Sequence, residues 1–229
     1  MKLRRTRLFW TVAAMLASSP ALASARDVVG LENEQAGGDH HAGRYVHSEM
    51  ELASGLWLKA DGTFEYWLTV GSLDETARGR WTAEGDRIVL VNDPAPVPPI
   101  ITPGRARLVP GTGFGLRVTL PTGQGVEGVN VVVGFDQGEP AEGYTQTDGW
   151  TLPGGDSRKP RWVQLSMPAY GLSSPRFPVD TAAANAVDYV LTPNDFGVVD
   201  LRTASVTRDG DALVLNRGGQ GMRYERQGG

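Results

Sequence analysis

The chain has 229 residues, of which 40% are hydrophobic and none is cysteine. This length allows one large or two small domains with a sizeable core, and the absence of cysteine excludes disulfides, thiolate zinc sites, cysteine nucleophiles and a lipid-modified N-terminal cysteine. The formal net charge of −4 argues against nucleic acid and anionic membrane surfaces as partners.

The first 25 residues have the pattern of a secretory signal peptide. Four basic residues, the last of them Arg7, precede an apolar stretch at residues 8–16, and Ala-Ser-Ala at 23–25 fits a cleavage site. We therefore expect an exported protein, periplasmic or secreted, in a bacterial envelope. Removing these four positive charges changes the net charge from −4 to −8. The apolar stretch is too short to anchor the chain, so we expect no membrane insertion after cleavage.

The segment that follows, residues 26–43, is polar and rich in glycine, which predicts a flexible lead-in. All three histidines occur at its end or just after it, as His40, His41 and His47. Imidazoles beside carboxylates are ligands for Zn²⁺ or Cu²⁺, so these residues form a candidate metal site, with His47 and Glu49 on one strand face. Their spacing fixes no metal geometry, and solvated surface histidines are the alternative. No other cofactor is predicted.

Alternation of apolar and polar residues with period two begins after the lead-in and is typical of β-strands. Leu56 and Leu58 lie on one strand face, and Phe64 and Tyr66 lie on the corresponding face of the next strand. Between them, a three-residue loop needs a positive φ that Gly62 supplies. The spacing predicts a hairpin in which Leu58 is opposite Phe64 and Leu56 is opposite Tyr66.

The other face of this hairpin is the candidate ligand-binding site. Trp57 and Trp67 are diagonal neighbours there in the predicted register. If exposed, the pair can stack on sugar rings or dock a partner protein, and the alternative is that a second layer covers it. Arg78 and Arg80 alternate on one face of the next strand, where they either bind an anionic ligand or are solvated.

Two hairpins far apart in the chain have similar sequences. Residues 82–90 match residues 207–215 around a shared Gly-Asp turn. Common turn chemistry explains such a match, and the alternative is that both chain ends belong to one sheet system.

The strongest predicted domain boundary is a connector at residues 93–104, which contains five prolines. Proline at this density cannot occupy a central strand. We therefore predict an all-β fold with a sandwich- or barrel-like β-rich unit built from both chain ends, residues 44–92 and 189–229. A second β-sandwich at residues 105–180 lies between them.

Four segments of the middle region carry a resemblance. They read Leu-Arg-Val-Thr-Leu at 116–120, Gly-Val-Glu-Gly-Val-Asn-Val-Val-Val at 125–133, Tyr-Thr-Gln-Thr-Asp-Gly at 144–149 and Trp-Val-Gln-Leu-Ser-Met-Pro-Ala-Tyr-Gly at 162–171. In this order they resemble the carboxypeptidase regulatory-like (transthyretin-like) β-sandwich. The resemblance covers residues 105–180, about a third of the chain, and implies a non-catalytic accessory or adhesion module.

The flanking regions are similar to a recurring type of bacterial exported β-protein for which no activity is established. The similarity rests on Gly-Leu-Trp-Leu at 55–58, Asp-Gly-Thr-Phe at 61–64, Gly-Arg-Trp at 79–81 and Met-Arg-Tyr-Glu-Arg at 222–226.

Motifs of common enzyme classes are absent from the sequence. It has no Gly-x-Ser-x-Gly elbow, phosphate loop or dinucleotide fingerprint, and its histidines are all near the N-terminus. We expect a non-catalytic binding or interaction protein of the bacterial cell envelope, with an envelope protein or a carbohydrate as partner. One alternative is a carboxylate-dependent hydrolase acting on an envelope or extracellular polymer, and another is a metal-binding protein using the histidine cluster.

Overall fold

A computed structural model describes residues 40–228. Within them the chain forms 17 strands and one 3₁₀ turn, Pro168–Tyr170, and no α-helix, which confirms the predicted all-β class. No helix in these residues is long and apolar enough to cross a membrane. The predicted signal peptide and the lead-in up to residue 39 lie outside the described residues.

In chain order the strands are β1 (Gly43–Glu49), β2 (Leu52–Leu58), β3 (Thr63–Val70), β4 (Leu73–Glu84), β5 (Arg87–Asn92), β6 (Ile100–Arg107), β7 (Gly115–Thr119), β8 (Asn130–Phe135), β9 (Ala141–Tyr144), β10 (Trp150–Thr151), β11 (Pro160–Met167), β12 (Leu172–Ser173), β13 (Phe177–Pro178), β14 (Ala186–Thr192), β15 (Ser205–Asp209), β16 (Ala212–Arg217) and β17 (Gln220–Arg226).

Eight of these strands form a closed barrel in the order β1, β17, β16, β15, β5, β4, β3, β2. The first and last of these strands meet in it, since Tyr45 on β1 is opposite Arg226 on β17. The two hairpins of similar sequence lie side by side, with Val206 opposite Ile88. Both chain ends therefore belong to one sheet system.

The first hairpin has the predicted register. Leu58 is opposite Phe64 and Leu56 is opposite Tyr66, and Gly62 has a φ of 78°. All four side chains are buried in the barrel interior. The barrel core consists of Tyr45, Leu56, Leu58, Phe64, Tyr66, Leu68, Ala77, Trp81, Ile88, Leu90, Leu201, Val206, Leu213, Leu215 and Tyr224. The interior is thus filled by side chains, as expected for a barrel of this size.

The middle of the chain forms two further sheets, one in the order β10, β7, β14, β6 and one in the order β12, β11, β8, β9, with β13 paired to β11. Both contribute to one hydrophobic core, which consists of Ile101, Phe114, Leu116, Val118, Val129, Val131, Val133, Val163, Leu165, Leu172, Phe177, Val179, Tyr189 and Leu191.

Strands β6 and β14 differ from the expected boundaries. The predicted barrel-forming unit includes β14 from Tyr189 onward, yet β14 pairs with β6 and, in parallel, with β7. The reason is burial, because Tyr189 and Leu191 lie in the core shared by the two sheets. The predicted connector is also shorter, since β6 begins at Ile100. Its Pro103 is tolerated because β6 is an edge strand.

A short segment at residues 197–199, here called the strap, is held against the barrel where β5 leaves β4. β5 pairs with β4 only as far as Gly79, opposite Asn92, because the prolines that follow lack backbone donors. Further along β4, Thr76 takes the strap as its neighbour: its N–H donates to the Gly197 carbonyl (2.8 Å), and its carbonyl accepts from Val199 N–H (2.9 Å). The strap thereby borders the outer face of β3 and β4.

Candidate functional site

The predicted aromatic site lies on the outer face of the barrel, and its most accessible member is Trp67. The Trp67 side chain is 45% exposed, and Gly55 is its cross-strand partner. A Cβ built on Gly55 would lie 2.4 Å from Trp67 Nε1, so the indole rests directly on the Gly55 backbone. The small residue opposite the tryptophan therefore fixes where the ring lies.

Trp57 is diagonal to Trp67, as predicted, but its ring is partly covered by cations. The Arg44 guanidinium carbon lies 4.3 Å from the ring centroid and Lys59 Nζ lies 4.5 Å from it. Lys59 also forms a 2.6 Å ion pair with Glu65, the cross-strand partner of Trp57. A ligand can thus stack on Trp67 without displacing a side chain, whereas Trp57 serves as a wall.

Arg78 and Arg80 both lie on the outer face of β4, and they have different partners. Arg80 forms an exposed ion pair with Asp93 at 3.8 Å, an interaction that contributes little. Arg78 is opposite Glu65 and is exposed, and within residues 40–228 it has no ion pair at salt-bridge distance. Arg78 is therefore the arginine better placed to meet an anionic ligand.

Two depressions flank Trp67, and Glu65 and Trp67 form walls of both. The first has a volume of about 570 Å³. Its further lining residues are Arg44, Tyr45, Val46, Gly55, Leu56, Trp57, Gln227 and Gly228. The second has a volume of about 510 Å³. Its further lining residues are Tyr66, Thr76, Ala77, Arg78, Asn92, Pro94, Pro96, Asp195 and Val198.

Charged side chains of both signs surround Trp67. Arg44, Lys59 and Arg78 lie around it, with Glu65 between them. Asp74 lies beside Thr76, the cross-strand partner of Trp67, and Asp195 lines the second depression. Three cations and three carboxylates therefore share this region, and Arg44 and Arg78 are its exposed guanidinium groups.

A third depression, of about 450 Å³, lies beyond the strap and is lined by several carboxylates. Glu75 is buried and bound to Arg217 at 2.5 Å. Asp195 accepts a 2.7 Å hydrogen bond from Val97 N–H. Bonds from Arg202 hold the pKa of Asp200 below its usual value.

The three histidines occupy different environments. His40 is exposed, whereas His41 is buried with its Nε2 3.1 Å from the Gly85 carbonyl. His47 has Nδ1 2.8 Å from the Arg223 carbonyl and Nε2 3.4 Å from Glu49, so the predicted shared face of His47 and Glu49 is confirmed. In the part of the chain from residue 40 to 228, no group of three His, Cys, Asp or Glu side chains is placed to hold a metal.

The end of the predicted flexible lead-in is packed against the barrel. Tyr45 donates a 2.8 Å hydrogen bond to the His41 carbonyl, and Arg226 donates to the carbonyls of His40 and Ala42. The donors of these bonds lie on β1 and β17, outside residues 26–43, so the sequence of the lead-in alone does not predict them.

Burial makes His41 a pH-sensitive element of the fold. Desolvation is the main cause that lowers its pKa from 6.5, and the charge of Arg208 adds to it. His41 Nε2 donates to a carbonyl and Nδ1 is buried with no partner among the described residues, so protonation places an unpaired N–H in the interior.

We expect the free energy of unfolding to fall as the pH drops below 6.5, because the unfolded chain then binds more protons than the folded one. Neutral His41 contributes fully to the free energy of unfolding above pH 6.5. This contribution is lost as the pH falls from 6.5 towards the lower pKa that His41 has in the folded chain. Urea denaturation at a series of pH values measures this. In His41→Gln, the free energy of unfolding should depend less steeply on pH. His40→Gln, which changes an exposed neighbour, should have the same pH dependence as the wild type. An unchanged pH dependence in His41→Gln would contradict the assignment. Asp200, whose pKa is lowered from 3.8, also stabilises the fold, but this stabilisation is lost at a different pH, below 3.8.

Sequence reasoning found the two tryptophans but missed the residues that shape their surroundings. The role of Gly55 follows from the hairpin register, which places it opposite Trp67, so that signal was present in the sequence. The strap and Asp195 gave no local signal, because they reach the site through pairing with Thr76, more than a hundred residues earlier in the chain.

Comparisons of the chain with protein-family models, with curated proteins and with solved structures found no match. The resemblance of residues 105–180 to the transthyretin-like sandwich and that of the flanks to an exported β-protein type therefore remain predictions.

Proposed function

We propose that this chain is an exported, non-catalytic binding protein of the bacterial cell envelope, and that it holds its ligand on the outer barrel face around Trp67. The observation that carries the proposal is an indole that is 45% exposed, seated on Gly55 and flanked by two depressions. Leaving such a large apolar surface in water forgoes the free energy of burying it, and exposed aromatic patches commonly mark interaction sites.

The state of the carboxylates favours binding over hydrolysis. A glycosidase needs two carboxyl groups free to act as acid and as base or nucleophile. Glu75 is paired with Arg217 and Asp200 with Arg202, and Glu65 is paired with Lys59. Each of these three carboxylates already holds a cation, an arrangement that suits a structural role. The bonds from Arg202 also lower the pKa of Asp200, which makes it a poorer proton donor.

We further propose that the two middle sheets, residues 100–192, form an accessory sandwich inserted into the barrel-forming unit, with its transthyretin-like segments within residues 105–180. The shared hydrophobic core of the two middle sheets supports this. The barrel then carries the ligand surface around Trp67, and the inserted unit contributes Tyr170 to the lining of the third depression.

Replacing Trp67 by alanine should weaken retention of the protein on total bacterial envelope material about ten-fold, because an aromatic stacking contact of roughly 1.4 kcal/mol is lost. The measurement is co-sedimentation of purified protein with washed envelope fragments over a concentration series. Gly55→Ala should also weaken binding, since its Cβ would displace the indole without removing it.

Tyr144→Ala is the matched control, because Tyr144 is 62% exposed and lies on the edge strand β9 of another sheet. It should bind like the wild type. Equal retention of the wild type and Trp67→Ala would overturn the proposal, as would release of reducing ends or peptide fragments from the envelope material during incubation.

A further inference from the structure

The three depressions described above are adjacent. The first and second share Glu65 and Trp67 as walls. The second and third share Pro96, Asp195 and Val198. Together they form a row, here called the groove, from Trp57 past Trp67 and the strap to Glu75 and Arg217.

A second aromatic platform lies at the far end of this groove. Tyr170 lines the third depression, and its ring lies 4.0 Å from that of Phe196, centroid to centroid. Phe196, which directly precedes the strap in the chain, packs against Tyr170 and so fixes the position of the Tyr170 ring. Aromatic platforms thus occur at both ends of the groove, with the Pro96 wall between them.

Among residues 40–228, the barrel strands beside the groove offer no free edge on which a peptide could add. β2, β3 and β4 have neighbours on both sides in the closed barrel. Where β4 loses β5, Thr76 is already bonded to the strap through its own N–H and carbonyl. Binding by strand addition is thereby blocked, and recognition must come from side chains, through ring stacking, hydrogen bonds and ion pairs.

The charged groups along the groove differ between its ends. Glu75 and Asp200 are paired with Arg217 and Arg202, and Asp195, in the middle, accepts a hydrogen bond from Val97 N–H. At the Trp67 end, Arg44 and Arg78 are exposed and, among residues 40–228, have no carboxylate within salt-bridge distance. A sugar that carries a carboxylate can stack its apolar ring face on an indole while its charge meets a guanidinium.

We infer that the groove binds an elongated anionic glycan, a chain of uronate-type sugars that stacks on Trp67 at one end and on Tyr170 at the other. The inference rests on the proposed binding function and adds to it the ligand class and its length. Sugar carboxylates meet Arg44 and Arg78, and the ligand crosses the strap at Val198.

The test is isothermal titration of the purified protein with oligogalacturonates from disaccharide to octasaccharide, with neutral cello-oligosaccharides and poly-glutamate as comparison probes. We expect the affinity for oligouronates to rise at least ten-fold with length and then level off. Arg78→Gln should reduce uronate affinity about ten-fold and weaken its dependence on salt. Tyr170→Ala should flatten the length dependence, and Tyr144→Ala should leave it as in the wild type.

Other outcomes would overturn the inference. Affinity that is independent of length, or unaffected by Tyr170→Ala, would limit the ligand to the Trp67 end. Preference for neutral sugars would remove the role of the arginines, and binding of poly-glutamate alone would point to an acidic peptide. If no oligouronate binds while Trp67→Ala still weakens retention on total envelope material, the glycan is wrong and the binding function stands. If that retention is also unaffected, both fail.

Discussion

Replacing Gly79 by alanine should lower the free energy of unfolding by about 3 kcal/mol, at the upper end of overpacking costs. A Cβ at Gly79 would lie 2.0 Å from the Val91 carbonyl oxygen and 2.8 Å from both Asn92 Cα and Asp93 N. All three atoms are backbone, so no side chain can move aside to make room. The end of β5 must shift away from β4, at the point where the connector leaves the barrel.

Urea denaturation of Gly79→Ala against the wild type measures this loss as a shift of the midpoint. Gly113→Ala is the matched control, because a Cβ at Gly113 would have no atom of residues 40–228 within 4 Å. It should change stability by less than about 0.5 kcal/mol. Equal stability of Gly79→Ala and the wild type would show that β4 and β5 do not approach as closely as described.

Replacing Asn92 by alanine should have an effect of similar size, about 3 kcal/mol, because it leaves two backbone groups without partners. Asn92 is buried; its Nδ2 donates to the Val199 carbonyl at 2.9 Å and its Oδ1 accepts from Leu201 N–H at 2.8 Å. These bonds attach the strap and the residues after it to the barrel. Asn92→Asp keeps the acceptor for Leu201 but turns a carboxylate towards the Val199 carbonyl, so it should also be destabilised.

Hydrogen exchange distinguishes this local attachment from a general loss of stability. In Asn92→Ala, exchange of the Val199 and Leu201 amides should accelerate more than that of amides in the distant strand β11. Asn130→Ala, on an exposed asparagine, should leave both stability and exchange unchanged. Uniform acceleration across the chain would contradict the role of Asn92 as an attachment point.

The parts of this fold that could be predicted from sequence are those set by neighbouring residues. The register of the first hairpin follows from Gly62 and from alternation on both sides of it. A slip by one residue would expose Leu56 and Leu58. The same register places Trp57 and Trp67 on the outer face, so the centre of the candidate site was within reach of local reasoning.

The parts that could not be predicted depend on pairing between distant segments. β14 lies in parallel with β7, with Val187 opposite Leu116, and nothing in either strand specifies that partner. The burial of His41 depends on Gly85, 44 residues away. The groove beyond Trp67 likewise depends on the strap meeting Thr76. Alternation tells which face of a strand is apolar, and it leaves open which strand covers that face.

The central claim, that ligand binds on the outer barrel face at Trp67, is tested most directly by ¹⁹F NMR of protein labelled with 5-fluorotryptophan. The resonances are assigned with single Trp→Phe variants, and a solubilised uronate-containing envelope polysaccharide is the titrant. We predict that the Trp67 signal shifts or broadens most and that of Trp57 less, while the signals of buried Trp81 and of Trp162 keep their positions. An unperturbed Trp67 signal, with the change confined to Trp162 or Trp150, would contradict the account.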